Sequence, residues 1–208
     1  MQERKPLRKI ILASQSKARQ KILRHIGLAF SVAVSSARED DIIKGTCRDL
    51  VISNAVRKAK DVAGRFSSGV VIAADTVVVV GRQVIGKPKS RKDALSILQL
   101  LSRQPHWVHT GLAVVDIDVG AVYTAHDKTR VYMYRLTDDQ IKQYLRRAPV
   151  LDKAGGFDIQ GLGGVFIDRI EGCFYNVVGL PLAKLVKILH RLGVDIFEHH
   201  DKKRAKRV

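Results

Sequence analysis

The order of apolar and polar positions along the chain predicts strands that alternate with helices. Apolar runs of strand length lie around Ile11 and over 70–80, and a polar pair interrupts the second run. Between the two runs, apolar residues recur at helical intervals over 50–63, after Thr46 and Asp49 at capping-box spacing. We therefore expect a helix between two buried strands.

The same patterns predict the remaining elements. The predicted strands lie at 9–13, 30–34, 70–74, 77–80, 107–117, 121–134 and about 165–170. The predicted helices lie at 16–25, at 46–63, from Ser90 onward, from Thr137 to before Pro149, and from Pro181 to about Leu192. Polar residues at 35–45 and the glycines of 155–164 predict loops.

Composition favours the α/β class. Hydrophobic residues make up 46% of the 208 residues and aromatic residues only 6%, so Val, Ile, Leu and Ala must build the interior. Such an interior is expected where helices cover a sheet on both faces. Cys47 and Cys173 lie far apart and form no C-x-x-C, which favours neither a disulfide framework nor a zinc site. A reduced cytoplasm is the expected location.

The formal net charge of +17 predicts attraction to polyanions, which could be nucleic acid, an anionic membrane surface or small phosphorylated substrates. Residues 1–9 carry four basic and one acidic side chain, and residues 201–208 carry five basic and one acidic side chain. A net charge of +10 therefore remains for residues 10–200. No apolar run approaches the ~20 residues of a membrane span, and no apolar leader follows the first residues. We expect a soluble, cytoplasmic protein.

Polar groups stand where the apolar segments break off, at Ser14 with Arg19, at Glu39, at Asp75, at Lys87 and at Gln160. A strand that ends at a helix N-terminus leaves backbone N–H groups that a phosphate satisfies. Hydrolysis of a phosphoanhydride needs cations to hold the phosphates, with carboxylates to bind a divalent metal and activate water. These residue types together supply that inventory.

Five segments resemble the Maf family of nucleoside triphosphate pyrophosphatases in order and approximate spacing: LASQSKAR, VIAADTVVVV, GKPKSRKDALSILQLLS, HWVHTGLAV and DKAGGFDIQGLGGVFIDRIEGCFYNVVGLPL. The resemblance implies a Maf/ITPase-like fold, with a long mixed sheet flanked by helices and a cleft between two lobes. It also implies a homodimer, and hydrolysis between the α and β phosphates with Mg²⁺ or Mn²⁺. The domain would cover 9–195, between basic segments at 1–8 and 196–208.

The resemblance assigns site residues when it is carried over position by position. Those that would contact the substrate are Ser14, Ser16, Arg19, Lys58, Thr76, Lys87 and Gln160. Asp75 would be the general base or carry the metal, and Glu39 would be a metal ligand. The cations Arg19, Lys58 and Lys87 would clamp the triphosphate. The sequence does not decide which carboxylate takes the proton.

Within the family, Thr76 and Gln160 resemble the subgroup that prefers dTTP and UTP, rather than the subgroup that acts on methylated GTP. Thr76 could equally be a strand residue without a base contact. Uracil and thymine differ by one methyl group, which is worth only ~1–3 kcal/mol in an apolar pocket, so both should be accepted.

Four positions depart from the family pattern. Lys17 and Ala18 stand where proline and arginine are usual, and Lys21 replaces a glutamate. Arg38 replaces the first acid of the acidic pair, which leaves Glu39 with Asp40 or Asp41 to complete a metal site. These changes would strengthen phosphate binding and loosen base selection.

Two other readings remain. A metal or nucleophile site could use His106 and His109 with Asp116 or Asp118, but strand geometry places the two histidines on opposite faces. The chain could also be a non-catalytic regulator of cell division or a nucleic-acid binder. Its aromatic residues fall mostly in apparent core strands, which predicts only nonspecific, salt-sensitive attraction to nucleic acid.

Overall fold

The computed structural model describes residues 8–40 and 45–197, which form a seven-stranded mixed sheet with helices on both faces. The strands are β1 (Ile10–Leu12), β2 (Ser31–Val32), β3 (Val70–Val80), β4 (Gln83–Ile85), β5 (His106–Asp116), β6 (Ala121–Met133) and β7 (Ile167–Glu171). The helices are α1 (Lys17–His25), α2 (Cys47–Ala63), α3 (Arg91–Leu101), α4 (Asp138–Arg147), α5 (Phe174–Val178) and α6 (Leu182–Arg191). Two 3₁₀ turns, Ala154–Gly156 and Leu162–Phe166, precede β7.

The sheet has the strand order β2-β1-β3-β5-β6-β7. Strand β1 runs parallel to both β2 and β3, whereas β3, β5, β6 and β7 pair antiparallel in succession. The short strand β4 folds back antiparallel on β3, on the same edge that β1 uses. The predicted α/β class with a long mixed sheet is therefore confirmed.

Alternate residues of the long strands point to opposite faces, and different helices cover the two ends of each face. On one face, α1 and α6 cover the end near β1, and α3 and α4 cover the end near β4. On the other face, α2 packs on Val71, Ala73 and Ala113, and its first turns reach Val77 and Val79. The long strands thus connect two halves of the molecule.

Local sequence chemistry sets the helix ends. The capping box predicted at Thr46 forms, with Thr46 and Asp49 each accepting a backbone N–H from the other end of the motif. Ser90 caps α3 through the N–H of Asp93, but the Asp93 carboxylate accepts from the N–H of Lys89 instead of Ser90. Only half of that predicted box is formed.

The predicted elements are confirmed with small shifts in their ends, apart from three differences. The two predicted strands at 70–74 and 77–80 are one strand, because the polar pair between them continues the ladder with β5. The strand β4 and the helix α5 were not predicted, since three and five residues are too few to show a period.

The described part of the chain contains no helix long and apolar enough to cross a membrane. Most of the basic segments predicted at 1–8 and 196–208 lies outside the described residues. Arg8 is described, and it binds Asp116 at the end of β5 and Asp118 at 2.5 Å. These hydrogen bonds, the one to Asp116 above all, raise the pKa of Arg8 and fasten the start of β1 to the sheet.

Candidate active site

A gap in one edge of the sheet creates the main cavity. Strand β1 pairs with β3 as far as Ile72, and β4 pairs with β3 from Val78. Among the described residues, no strand pairs with the backbone of β3 between these two points on that edge. A cavity of about 860 Å³ lies in this gap, between the two halves of the molecule. Both Asp75 and Thr76 line it, although they project from opposite faces of β3.

On the α2 side of the cavity, an ammonium group lies between two carboxylates. The Lys58 Nζ is 2.6 Å from Glu39 Oε1 and 2.7 Å from Asp75 Oδ1. Asn54, one helical turn earlier in α2, donates its Nδ2–H to Asp75 Oδ2 at 2.9 Å. Asp75 and Lys58 are only 5% and 8% exposed, and each depends on the other, because an unpaired buried charge is costly.

The carboxylates suit a divalent ion that arrives with a polyphosphate. Within residues 8–40 and 45–197, no three His, Cys, Asp or Glu side chains form a ready metal cage. Mg²⁺ in phosphate-transfer sites is held by one or two carboxylates together with substrate phosphates. Glu39 and Asp75, which converge on one cation, fit such an ion and would supply its protein ligands.

On the α1 side, Arg19 is held on three sides. Its Nε–H donates to the carbonyl of Gly179 at 2.7 Å, one Nη group donates to Ser14 Oγ at 3.1 Å, and the other donates to Thr76 Oγ1 at 2.9 Å. A guanidinium has five donors, so two remain for a ligand. Burial lowers the pKa of Arg19, and the carboxylates of Asp75 and Glu39 oppose that shift.

A buried chain of hydrogen bonds continues from this arginine into the sheet. Thr110 Oγ1 donates to the carbonyl of Asn176 at 3.0 Å, so its contact with Thr76 Oγ1, also 3.0 Å, has Thr76 as donor. Asn176 in turn donates to the carbonyl of Val108 and to Thr129 Oγ1. The hydroxyl of Thr76 therefore donates its proton to Thr110 and accepts a hydrogen bond from Arg19.

The start of α1 forms another part of the cavity lining. Ser16 caps the helix through the N–H of Arg19, and Ser14 Oγ accepts the N–H of Ser16. The first N–H groups of a helix have no acceptor within it, so those of Lys17 and Ala18, which precede the capped N–H of Arg19, are open to an anion. Lys87 lies after β4, and Lys153, paired with Asp152 at 3.2 Å, also lines the cavity.

The structure brings together all but one of the residues assigned from the sequence. Those that line the cavity are Ser14, Ser16, Arg19, Glu39, Lys58, Asp75, Thr76 and Lys87. Gln160 is not part of the lining, because a turn folds its N–H onto Asp158 Oδ1 at 2.9 Å, and Asp158 and Ile159 line the cavity in its place.

Of the positions that depart from the family pattern, some line the cavity and others do not. Lys17 and Ala18 line the cavity, whereas Lys21 and Arg38 are not among its lining residues. Asp40 forms an ion pair with Arg57 at 2.8 Å and does not line the cavity. The other candidate acid, Asp41, lies outside the described residues.

The sequence interpretation missed Asn54 and Asn176, the two buried amides that hold the site. A signal existed for Asn54, since it lies four residues before Lys58 on a helix face that is otherwise apolar. For Asn176 the sequence offered no periodic pattern, because α5 is too short to show one.

His106 and His109 lie on opposite faces of β5, as the sequence predicted. His106 is fully buried against Phe157, with ring centroids 5.7 Å apart, while His109 lies on the opposite face with its Nδ1 3.1 Å from His126 Nε2. Asp116 is paired with Arg8. The histidine-centred site considered from the sequence does not assemble.

The fold and the site define an α/β protein with converging cations and paired carboxylates in a cavity at a sheet edge. Within that class, the chain belongs to the Maf family, since residues 9–192 match the family described as Maf-like protein.

Relatives of known name are similar over nearly the whole chain. A dTTP/UTP pyrophosphatase of Methanosarcina barkeri is 45% identical over 92% of this chain and 98% of its own length. A dTTP/UTP pyrophosphatase of Desulforamulus reducens is 44% identical over 91% of this chain and 100% of its own length. A dTTP/UTP pyrophosphatase of Bacillus anthracis is 38% identical over 91% of this chain and 98% of its own length. Among solved structures, the Staphylococcus aureus Ham1 protein is similar over 61% of this chain and 72% of that chain, with 17% identity and a TM-score of 0.43.

Proposed function

We propose that this protein hydrolyses dTTP and UTP to the nucleoside monophosphate and pyrophosphate with the help of Mg²⁺ or Mn²⁺. The observation that carries the proposal is the Lys58 ammonium held between Glu39 and Asp75, in a cavity that also presents Arg19 and Lys87. The names of the relatives support the reaction and the pyrimidine bases.

In the proposed reaction, a water oxygen attacks the α phosphorus. The bond from that phosphorus to the α–β bridging oxygen breaks, and pyrophosphate leaves with the electron pair. The proton of the attacking water passes to a carboxylate of the site. A divalent ion, when bound, would neutralise phosphate charge and orient the reacting groups.

In the proposed reaction, the cationic residues and the carboxylates have different roles. Arg19 and Lys87 would bind phosphate oxygens, as would the N–H groups at the start of α1. Glu39 has the more accessible carboxylate, with 47% of its side chain exposed against 7% for Asp75. Asp75 binds Lys58 and Asn54 at once, so it fixes the position of the ammonium group as well as offering a base.

The test measures hydrolysis of dTTP, UTP, the other nucleoside triphosphates and methylated GTP. Each substrate is assayed with Mg²⁺, with Mn²⁺ and after removal of metal. We expect equimolar monophosphate and pyrophosphate from dTTP and UTP, and no turnover without metal. Release of inorganic phosphate in place of pyrophosphate would contradict the proposed bond cleavage. Turnover of methylated GTP alone would move the protein to the other subgroup.

Replacing Asp75 tests the site itself. Asp75→Asn keeps the shape but removes a base and a charge, so kcat should fall by about 10²–10⁴ while nucleotide binding persists. Asp139→Asn, an exposed carboxylate of α4 outside the cavity, is the matched control and should retain full activity. Full activity of Asp75→Asn would remove this residue from the mechanism.

We further propose that the active protein is a cytoplasmic homodimer. The family resemblance supports the dimer, and the two free cysteines, Cys47 and Cys173, suit a reducing compartment. Light scattering of the purified protein gives the oligomeric state, and a monomer at assay concentrations would contradict the dimer.

A further inference from the structure

Beside the first turn of α2, the sheet carries aromatic and cationic side chains on the face that this helix packs against. Trp107 of β5 lies opposite Arg130 of β6, and Tyr132 of β6 lies opposite Arg169 of β7. Helix α2 reaches this face at its first turns, where Cys47 and Leu50 pack in one cluster with the partly buried Trp107. Among the described residues, no other helix packs on this part of the face.

The side chains form a ladder across three strands, which we call the aromatic ladder. The Lys128 Nζ lies 5.0 Å from the centroid of the Trp107 ring, and the Arg130 guanidinium carbon lies 5.7 Å from the same ring. Arg130 also lies 5.1 Å from the Tyr132 ring, and Arg169 lies 3.6 Å from it. Aromatic rings and cationic groups therefore alternate along the ladder.

We propose that the aromatic ladder binds single-stranded nucleic acid. Bases stack on the accessible parts of aromatic rings and on guanidinium planes, and phosphates pair with arginine and lysine. The two rings are half-buried, whereas Lys128 and Arg169 are exposed. Sheet faces with aromatic residues on neighbouring strands bind two or three bases in this way. From Lys128 to Tyr132 the ladder spans about 13 Å along β6, at about 3.3 Å per residue, which accommodates about two bases.

Charge on this face favours a polyanion over a neutral partner. Lys128 and Arg130 contact aromatic rings, so their positive charge is not neutralised there. Arg169 pairs with Asp168 at 2.9 Å and with Glu171 at 3.6 Å, but these pairs are solvent-exposed. Exposed ion pairs contribute little, so a phosphate can replace them. The net charge of +17 adds long-range attraction.

The inference is independent of the proposed pyrophosphatase activity. None of Trp107, Arg130 and Tyr132 lines the cavity at the β3 edge. Substitutions on the aromatic ladder should therefore leave nucleotide hydrolysis unchanged, and loss of hydrolysis by Asp75→Asn should leave nucleic-acid binding unchanged.

The experiment uses the full chain and a twelve-residue oligoadenylate RNA without terminal phosphates, which lacks both the triphosphate and the pyrimidine base. Trp107 is the sole tryptophan, so its fluorescence reports on the ladder directly. We expect the RNA to quench this fluorescence at saturation, with an affinity that falls steeply as salt increases. Tyr132→Ala and Arg130→Gln should each weaken binding about tenfold.

Arg146→Gln is the matched control, because it removes an exposed arginine from α4 on the other side of the sheet. It should change the affinity less than twofold. Circular dichroism and nucleotide hydrolysis show that each variant is folded. Arg130→Gln is the milder change, should Tyr132→Ala fail to fold.

Three results would overturn the proposal. Binding that inorganic polyphosphate matches, without quenching of Trp107, would mean charge attraction alone. Equal binding by Arg130→Gln and the unaltered chain would place the RNA elsewhere. A Trp107 that is shielded from acrylamide at high protein concentration, together with no RNA binding, would mean that a second copy covers the face.

Discussion

Thr76 positions the guanidinium group of Arg19, which is a different role from recognition of the nucleobase. Its oxygen accepts from Arg19 and its proton goes to Thr110, so the hydroxyl has no proton left for a nucleobase. Thr76→Val keeps the shape but removes an acceptor of a charged donor, a bond worth about 1.5–3 kcal/mol. We expect kcat/KM to fall at least tenfold, and by the same factor for dTTP and for UTP.

Thr76→Ser is the control for this prediction, since it retains the hydroxyl and should retain most of the activity. The informative quantity is the ratio of kcat/KM between nucleotides with different bases. A positioning role leaves that ratio unchanged in Thr76→Val. A change in the ratio would restore Thr76 to the base-recognition role that the family resemblance suggests.

The helix α2 depends on one glycine for its distance from the sheet. A Cβ on Gly111 of β5 would lie 2.3 Å from the backbone carbon and oxygen of Val51, closer than real contacts allow. Gly111→Ala must therefore push α2 outward by roughly 1 Å, and that helix carries Asn54 and Lys58. We expect a fall of about 10² in kcat/KM, as a displacement of that size costs other enzymes. The free energy of unfolding should also fall by about 1–3 kcal/mol.

Gly64→Ala, at the far end of the same helix, is the matched control. Its backbone is already helical, and a Cβ there would meet only ordinary contacts at 3.7 Å. Kinetics and thermal melting measured on both variants separate the two effects. If Gly111→Ala retained full kcat/KM, the exact position of α2 would not matter to the site.

Most of the fold and the charged half of the site followed from local sequence patterns. The long strands and capped helices have strong periods, and the breaks in them pointed to Arg19, Asp75 and Lys87. The sequence could not show that β1 and β4 share one edge of β3, because pairing across 60 residues leaves no local trace. The same holds for Asn176, whose partners lie 47 to 68 residues away.

The sheet carries two separate groups of charged side chains. The charged cavity lies at the open edge of β3, and the aromatic ladder crosses β5, β6 and β7 beside the first turn of α2. At the end of the sheet covered by α3 and α4, His106 is buried beside Phe157, one of the residues that line the cavity. Its two ring nitrogens have no hydrogen-bond partner among the described residues.

This histidine makes the stability of the whole molecule depend on pH. Burial lowers the pKa of His106 from 6.5 to about 4, so the folded protein keeps it neutral where the unfolded chain binds a proton. The free energy of unfolding should be constant with respect to this group above pH 6.5 and should decrease as pH falls from about 6.5 to about 4. The decrease amounts to about 3 kcal/mol.

Denaturant unfolding at pH 7.5 and pH 5, on the unaltered chain and on His106→Phe, measures this contribution. The phenyl ring is apolar and has no titratable group, so the difference in stability between the two pH values should shrink by about 2 kcal/mol. It should not vanish, because the pKa of His109 is also lowered to about 4, chiefly by burial. His190→Gln, an exposed histidine of α6, should leave the difference unchanged. An equal pH dependence in His106→Phe and the unaltered chain would mean that His106 reaches water in the folded state.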